Sequence, residues 1–293
     1  MSATATSAGS AKRRHERIPR FLRLRSGQVG VAILGLILLV AFIGPFLAPD
    51  SPSAIVGAPF QRPSASDLLG TDFLGRDALS RVLSGGRTLI LLALAATAIA
   101  YLVGITIGLV AGYTRSIIDP LLMRAMDVLL AFPPILFLLV LTAGAGHSRL
   151  ALVLGVAAIH VGGVSRIVRA ATLDVSVRNY VEAAVARGQR TLSILWREIL
   201  PNILAPLLAD AGVRFTGSVL LLASINFLGL GLQPPVADWA LMISENRSGI
   251  TLQPWVIAVP AILIALVTVA INLVADVVAR SFGTSVHWER VSR

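Results

Sequence analysis

Apolar residues gather along this chain into six long runs, roughly 29–48, 88–112, 121–143, 150–168, 205–232 and 255–279. About 20 mostly apolar residues, at ~1.5 Å rise each, cross the hydrocarbon of a bilayer as a helix. The pattern therefore predicts an all-α, polytopic membrane protein of six transmembrane helices. The polar intervals are unequal. Segment 49–87 is long and Pro-rich, 169–204 is long, Arg-rich and helical in spacing, 233–254 is moderate, and the other two are short.

Composition agrees with this reading, with 56% hydrophobic and 14% charged residues and a mean hydropathy of +0.82. A soluble domain of this length needs far more charge to cover its surface. Cysteine is absent, which excludes disulfides, Fe–S clusters and thiolate zinc sites. The net charge of +10 raises nucleic acid as a partner, but the arginines lie beside the apolar runs rather than along one soluble face.

Residues 1–28 are Ser/Ala-rich and then basic, with Lys12, Arg13, Arg14, Arg17, Arg20, Arg23 and Arg25. A signal peptide has a shorter apolar region and a small-residue cleavage site. Here Val29–Ala48 is span-length and Pro49 follows, which predicts an uncleaved first span with the leader held in the cytoplasm. With an even number of spans, eighteen basic residues fall on the leader's side, including Arg115, Arg124, Arg166, Arg169, Arg178, Arg187, Arg190 and Arg197. Six fall on the other side: Arg62, Arg76, Arg81, Arg87, Arg149 and Arg247. The positive-inside rule then predicts both termini in the cytoplasm of a multi-pass plasma-membrane protein.

The predicted divisions are a leader at 1–28, a first span at 29–48, an extracytoplasmic loop at 49–87, a five-helix core at 88–280 and a cytoplasmic tail at 281–293. Within the core, Gly104, Gly108 and Gly112 have the small-xxx-small spacing that lets helices approach closely, which is a packing feature.

The stretch 179–202 reads as two short cytoplasmic helices. Asn179 is placed to cap the first, with Glu182 in capping-box position, and Gly188 suits the left-handed residue that ends it. The second places Leu192, Leu195, Trp196 and Ile199 on one face, and Pro201 stops it before the fifth span. Glu182-Ala183-Ala184, Gly188 and Leu200-Pro201 have the spacing of the EAA loop of ABC importer permeases, which this chain resembles. In that family the loop supplies a coupling helix seated in a cleft of the ATPase subunit.

Two further segments resemble the dipeptide, oligopeptide and nickel permeases, specifically the C-type member of the permease pair. Gly70, Thr71, Asp72, Gly75, Arg76 and Asp77, followed by Ser80 and Arg81, resemble the L-G-T-D-x-x-G-R-D-x-x-S-R signature between the first two spans. Phe227–Pro235, Trp239 and Pro254-Trp255 resemble the region after the fifth span. Asn272-Leu-Val-Ala-Asp276 departs from the family's N-L-x-G-D by carrying Ala275 for glycine, and the tail lacks the usual Asp-Pro ending.

The resemblance implies a type I (MetI-like) permease fold for import of peptides or related solutes such as nickel complexes. It implies a second permease, two ATPase subunits and an extracellular solute-binding protein as partners. No GxxxxGK[ST] loop is present, so no cofactor is expected on this chain, and ATP with magnesium is expected on the ATPases. The signature loop reads physically as a self-satisfied outer-surface turn, or else as a dock for the binding protein or part of the outer gate.

Asp210 and Arg214 lie four residues apart early in the fifth span, as a structural pair near the interface or as part of a polar path. Asp127 and Asn226 raise the same question. His160, without a ligand-spaced companion, reads as a hydrogen-bonded packing residue rather than a nickel ligand. An ion-gradient-driven secondary transporter is the alternative, but the chain shows no convincing internal repeat and few mid-span acids. A membrane-embedded enzyme lacks HExxH, GxSxG or an intramembrane acid pair.

Overall fold

The computed structural model describes residues 25–114, 116–146 and 148–288. The helices are α1 (Arg25–Leu47), α2 (Ala78–Thr114), α3 (Ile118–Ala131), α4 (Pro134–Ala145), α5 (Arg149–Ser176), α6 (Asn179–Ala186), α7 (Thr191–Ser193), α8 (Leu200–Phe227), α9 (Trp239–Asn246) and α10 (Trp255–Trp288). A π-helical turn, Ile194–Ile199, joins α7 to α8 without a break, so that Thr191–Phe227 is one long helix. Among the described residues strand-like pairing is confined to two isolated bridges, Ile55 with Arg76 and Thr71 with Asp77.

Helices α1, α2, α5, the run Thr191–Phe227 and α10 are each long and apolar enough to cross a membrane. The expected third span, 121–143, is not straight. It is the pair α3–α4, bent by 84°. The cause is the sequence Phe132-Pro133-Pro134. A proline ring pushes the residue before it out of the helical region, and this happens twice, leaving Phe132 at ψ 130° and Pro133 at ψ 126°. Hydropathy averages over such a break, because all three residues are apolar.

The glycine stripe of α2 finds its partner in α5. A Cβ on Gly104, Gly108 or Gly112 would lie 2.5–2.8 Å from side-chain carbons of Val164, Val168 and Thr172 in turn. Lipid is as apolar as leucine, so close packing of this kind, rather than escape from water, holds membrane helices together. The matching order also fixes direction, since α2 and α5 run parallel. A chain that descends twice must ascend between, so α3–α4 is one broken span that crosses back, which makes six spans among the described residues.

Two further glycine contacts close the bundle. Gly30 of α1 packs on Leu273 of α10, and Gly212 of α8 packs on Ala275 of α10. The core between these helices is filled by Leu89, Leu152, Val156, Leu222 and Val267, with Trp239 from α9 fully buried at one end. The Trp239 Nε1–H donates to the Val82 carbonyl at 2.7 Å, and the indole lies against Gly85 and Gly86.

Candidate functional site

The loop after α5 lies at the far end of the bundle from the start of α2. Its first helix, α6, begins one residue earlier than a cap at Asn179 requires. Arg178 is the N-cap, no side chain caps the helix, and Glu182 therefore makes no capping box. Glu182 is exposed and, among the described residues, its side chain has no partner. Val181 and Ala184 are buried and hold α6 to the bundle, while Ala183 faces out with Glu182.

Gly188 ends α6 as expected, at φ +71°. Its N–H donates to the Val185 carbonyl and that of Gln189 to the Ala184 carbonyl, the paired bonds of a Schellman turn. A Cβ on Gly188 would meet nothing within 4 Å. The glycine is therefore set by its backbone angle and not by crowding within the chain.

Pro201 does not stop the second helix. It sits in the first turn of α8, and the missing N–H is absorbed by a change of register, with the Leu200 N–H donating five residues back to the Leu195 carbonyl. The wider π turn re-aims the side chains. Ile194, Leu195 and Ile199 are buried together with Ile203, whereas Leu192 and Trp196, expected on the same face as Leu195 and Ile199, stand exposed. Leu200 is partly buried and packs on that cluster.

The signature segment at the other end is not a surface turn. Thr71, Asp72, Arg76, Asp77 and Arg81 are all buried. Asp77 caps α2 by accepting the Ser80 N–H at 2.7 Å. The Asp72 Oδ1 accepts the N–H groups of Leu74 and Arg76, both at 2.9 Å, and its Oδ2 accepts the Arg76 Nε–H at 2.7 Å with Arg81 Nε 3.4 Å away. Both guanidiniums continue to the Glu245 carboxylate in α9, at 3.2 Å from Arg76 and 2.7 Å from Arg81. The signature is therefore not self-satisfied: it needs Glu245, which lies 164 residues beyond Arg81. No local spacing marks it.

Gly70 and Gly75 adopt φ +69° and +79°, and a Cβ on either would collide with a carbonyl oxygen, of Gln61 and Gly57 respectively. Gln253 donates to the Gln61 and Leu69 carbonyls and Asn246 accepts the Phe73 N–H, so segment 50–77 is fastened to the α9 region at several points. Asp238 caps α9 through the Ala240 and Leu241 N–H groups and accepts from Asn226, which closes the end of α8 rather than a pathway. Burial pushes the Asp238 carboxyl up to about 6, and burial likewise raises that of Glu245. With Asp72 and Glu245 already balancing the two arginines, Asp238 is a surplus acid.

Asp210 and Arg214 do pair, at 3.1 Å, and the Tyr101 hydroxyl donates to Asp210 at 2.7 Å. The guanidinium lies against Gly163 of α5, so this group links α2, α5 and α8. Asp127 pairs with Arg166, and Asp119 grips Arg169 through both carboxylate oxygens. His160 lies against Gly217 with its Nε2 buried and unbonded among the described residues, so the expected hydrogen bond at that nitrogen is not made. Among the described residues no group of three metal-binding side chains is assembled.

Residues 104–287 match the family of binding-protein-dependent transport system inner membrane components. The chain belongs to that family. Residues 15–69 match the N-terminal transmembrane domain of oligopeptide transport permease C. Among the family's curated members, the di/tripeptide transport system permease protein DppC of Pseudomonas aeruginosa is 36% identical over 254 residues, 84% of each chain. The glutathione transport system permease protein GsiD of Pectobacterium atrosepticum is 34% identical over 261 residues, 88% of this chain and 86% of its own. The inward-facing MetNI methionine ABC transporter superposes with a TM-score of 0.55 over 68% of this chain and 94% of its own, at 15% identity, which shows a shared fold. Family membership makes this chain a transport permease rather than an enzyme, and it removes the ion-gradient-driven alternative.

Proposed function

We propose that the chain is one of two permeases of an ATP-driven importer of short peptides in a cytoplasmic membrane, with both termini on the cytoplasmic side. The relatives transport dipeptides, tripeptides or glutathione by their names, and each is matched over more than four-fifths of both chains. The observation that carries the reading is the 179–201 loop. It is fully folded, it is fixed to the bundle by Val181, Ala184 and Ile199, and it presents Glu182, Ala183 and an open Gly188 outward. A rod fixed at its root and free on its face can pass motion from a docked ATPase to the helices.

In this reading a second permease completes the pathway, two ATPase subunits bind ATP and magnesium, and an external binding protein selects the solute. The signature at 69–81 stiffens the outer end, and Asp210 with Arg214 is a structural pair.

Reconstitution of the five-part system in proteoliposomes tests this. Labelled dipeptide uptake is expected to need ATP, and Glu182→Ala is expected to reduce it at least tenfold while the complex still assembles. Uptake that persists without the ATPase subunits overturns the reading.

A further inference from the structure

The Asp210–Arg214 pair uses only one edge of the guanidinium. The Arg214 Nε–H donates to both Asp210 oxygens, at 3.2 and 3.1 Å, and among the described residues Nη1 and Nη2 meet no acceptor. The free fork is nonetheless firmly seated, since a Cβ on Gly163 of α5 would stand 2.6 Å from Nη1 and 2.7 Å from Nη2. One turn away the contact reverses, and the His160 Cε1 of α5 lies 2.9 Å from where a Cβ on Gly217 of α8 would stand. Each glycine makes room for a polar side chain of the other helix. His160 is 7% exposed, and its Nε2 has no partner in this seam among the described residues.

The seam lies deep in the membrane. Tyr101, which donates to Asp210, is thirteen residues into the span 88–112 and eleven from its end. His160 is ten residues into the span 150–168. Arg214 is nine residues into the span 205–232, about 14 Å along the axis, in a hydrocarbon layer of about 30 Å. A guanidinium at that depth with four unshared N–H groups is costly unless a polar occupant visits them. Gly217 shares one face of α8 with Leu220 and Ser224, three and seven residues on. Those two line a cavity of about 380 Å³ with Phe227, Ile135 of α4 and Ala240 of α9, large enough for a small ligand. Its lining carries no charge, so Arg214 is the first charged group inward of it along α8.

We propose that the Nη fork of Arg214, with His160 Nε2, is a transient binding site for the terminal carboxylate of a peptide in transit. The two Nη groups match the two oxygens of a carboxylate in parallel, and the Nε2–H tautomer of the imidazole adds a third donor. Asp210 keeps the site neutral as a whole, so the carboxylate is held weakly enough to move on. This rests on the peptide-import reading above.

Saturation-transfer NMR on the assembled permease–ATPase complex, without the binding protein, tests it with alanyl-alanine and its C-terminal amide as probes. Transfer to the free acid is expected, and several-fold weaker transfer to the amide. Arg214→Lys keeps a charge beside Asp210 but not the fork, and is expected to weaken transfer to the acid several-fold. His160→Phe keeps the packing on Gly217 without the ring nitrogens and is expected to weaken it as well. Equal transfer to both probes, transfer to neither, or a signal that Arg214→Lys leaves unchanged overturns the site. A signal that His160→Phe alone leaves unchanged removes the imidazole from it. ATP-driven uptake of alanyl-alanine by the same complex, reconstituted with its binding protein, is the separate check. Uptake without the NMR signal leaves the import reading standing and the site overturned, and absence of uptake overturns both.

Discussion

A side chain on Gly212 has no room because the Ala275 methyl already occupies the space, 2.5 Å from where a Cβ would stand. The family pattern this segment resembles has glycine at the Ala275 position, so here the close approach of α8 and α10 is kept with the glycine on one helix and the methyl on the other. Gly212→Ala is expected to cost about 1–3 kcal/mol by overpacking. Adding Ala275→Gly is expected to return most of it, because the swap restores the volume. Thermal unfolding of the purified complex measures both.

The buried ion cluster is balanced, with Asp72 and Glu245 against Arg76 and Arg81. Glu245→Leu strands two guanidiniums and is expected to cost about 3–5 kcal/mol. Replacing Arg81 by methionine as well removes the charge that suffers most, so the double variant should be more stable than Glu245→Leu alone. Melting temperatures of the wild type, Glu245→Leu, Arg81→Met and the double variant decide it, and simple additivity would contradict the cluster.

Asp238 gives the protein a pH dependence of defined sign. Its carboxyl is raised from 3.8 to about 6 by burial. A raised acid stabilises the fold when protonated. That contribution is complete below about pH 4 and is lost as pH climbs through about 6, a change of about 3 kcal/mol at most. Glu245 is shifted in the same direction. Asp238→Asn keeps the cap oxygen for Ala240 and Leu241 without the charge, so its stability profile from pH 4 to 7 is expected to be flatter. An unchanged slope in calorimetry would assign the effect elsewhere.

Gly188 separates folding from docking. Asparagine tolerates a left-handed backbone better than other side chains, and the space around Gly188 is open within the chain. If the proposed coupling reading holds, Gly188→Asn is expected to insert and assemble normally, yet to lose dipeptide uptake at least tenfold because its side chain enters the space that reading gives to the ATPase. Uptake at the wild-type level would show that only the backbone angle matters there.

The spans were legible because twenty-residue apolar runs have no other use, and the glycine stripe at 104–112 announced a close neighbour without naming α5. What stayed hidden was either local geometry or distance. The break at Phe132–Pro134 is apolar and so invisible to hydropathy, although the double proline carried it. The face of 191–199 was assigned with a period of 3.6, which the π turn does not obey. Glu245 required the fold itself, because only packing brings α9 to the start of α2.

The fastening of segment 50–77 has a practical consequence for building hybrids between related permeases. Arg76, Arg81, Phe73 and the Gln61 and Leu69 carbonyls all close on groups between Asn226 and Gln253. A graft of the loop by itself would arrive without its sockets. The transplantable unit is discontinuous, 50–81 together with 226–253, and an exchange that respects that seam is the one expected to yield a folded chimaera.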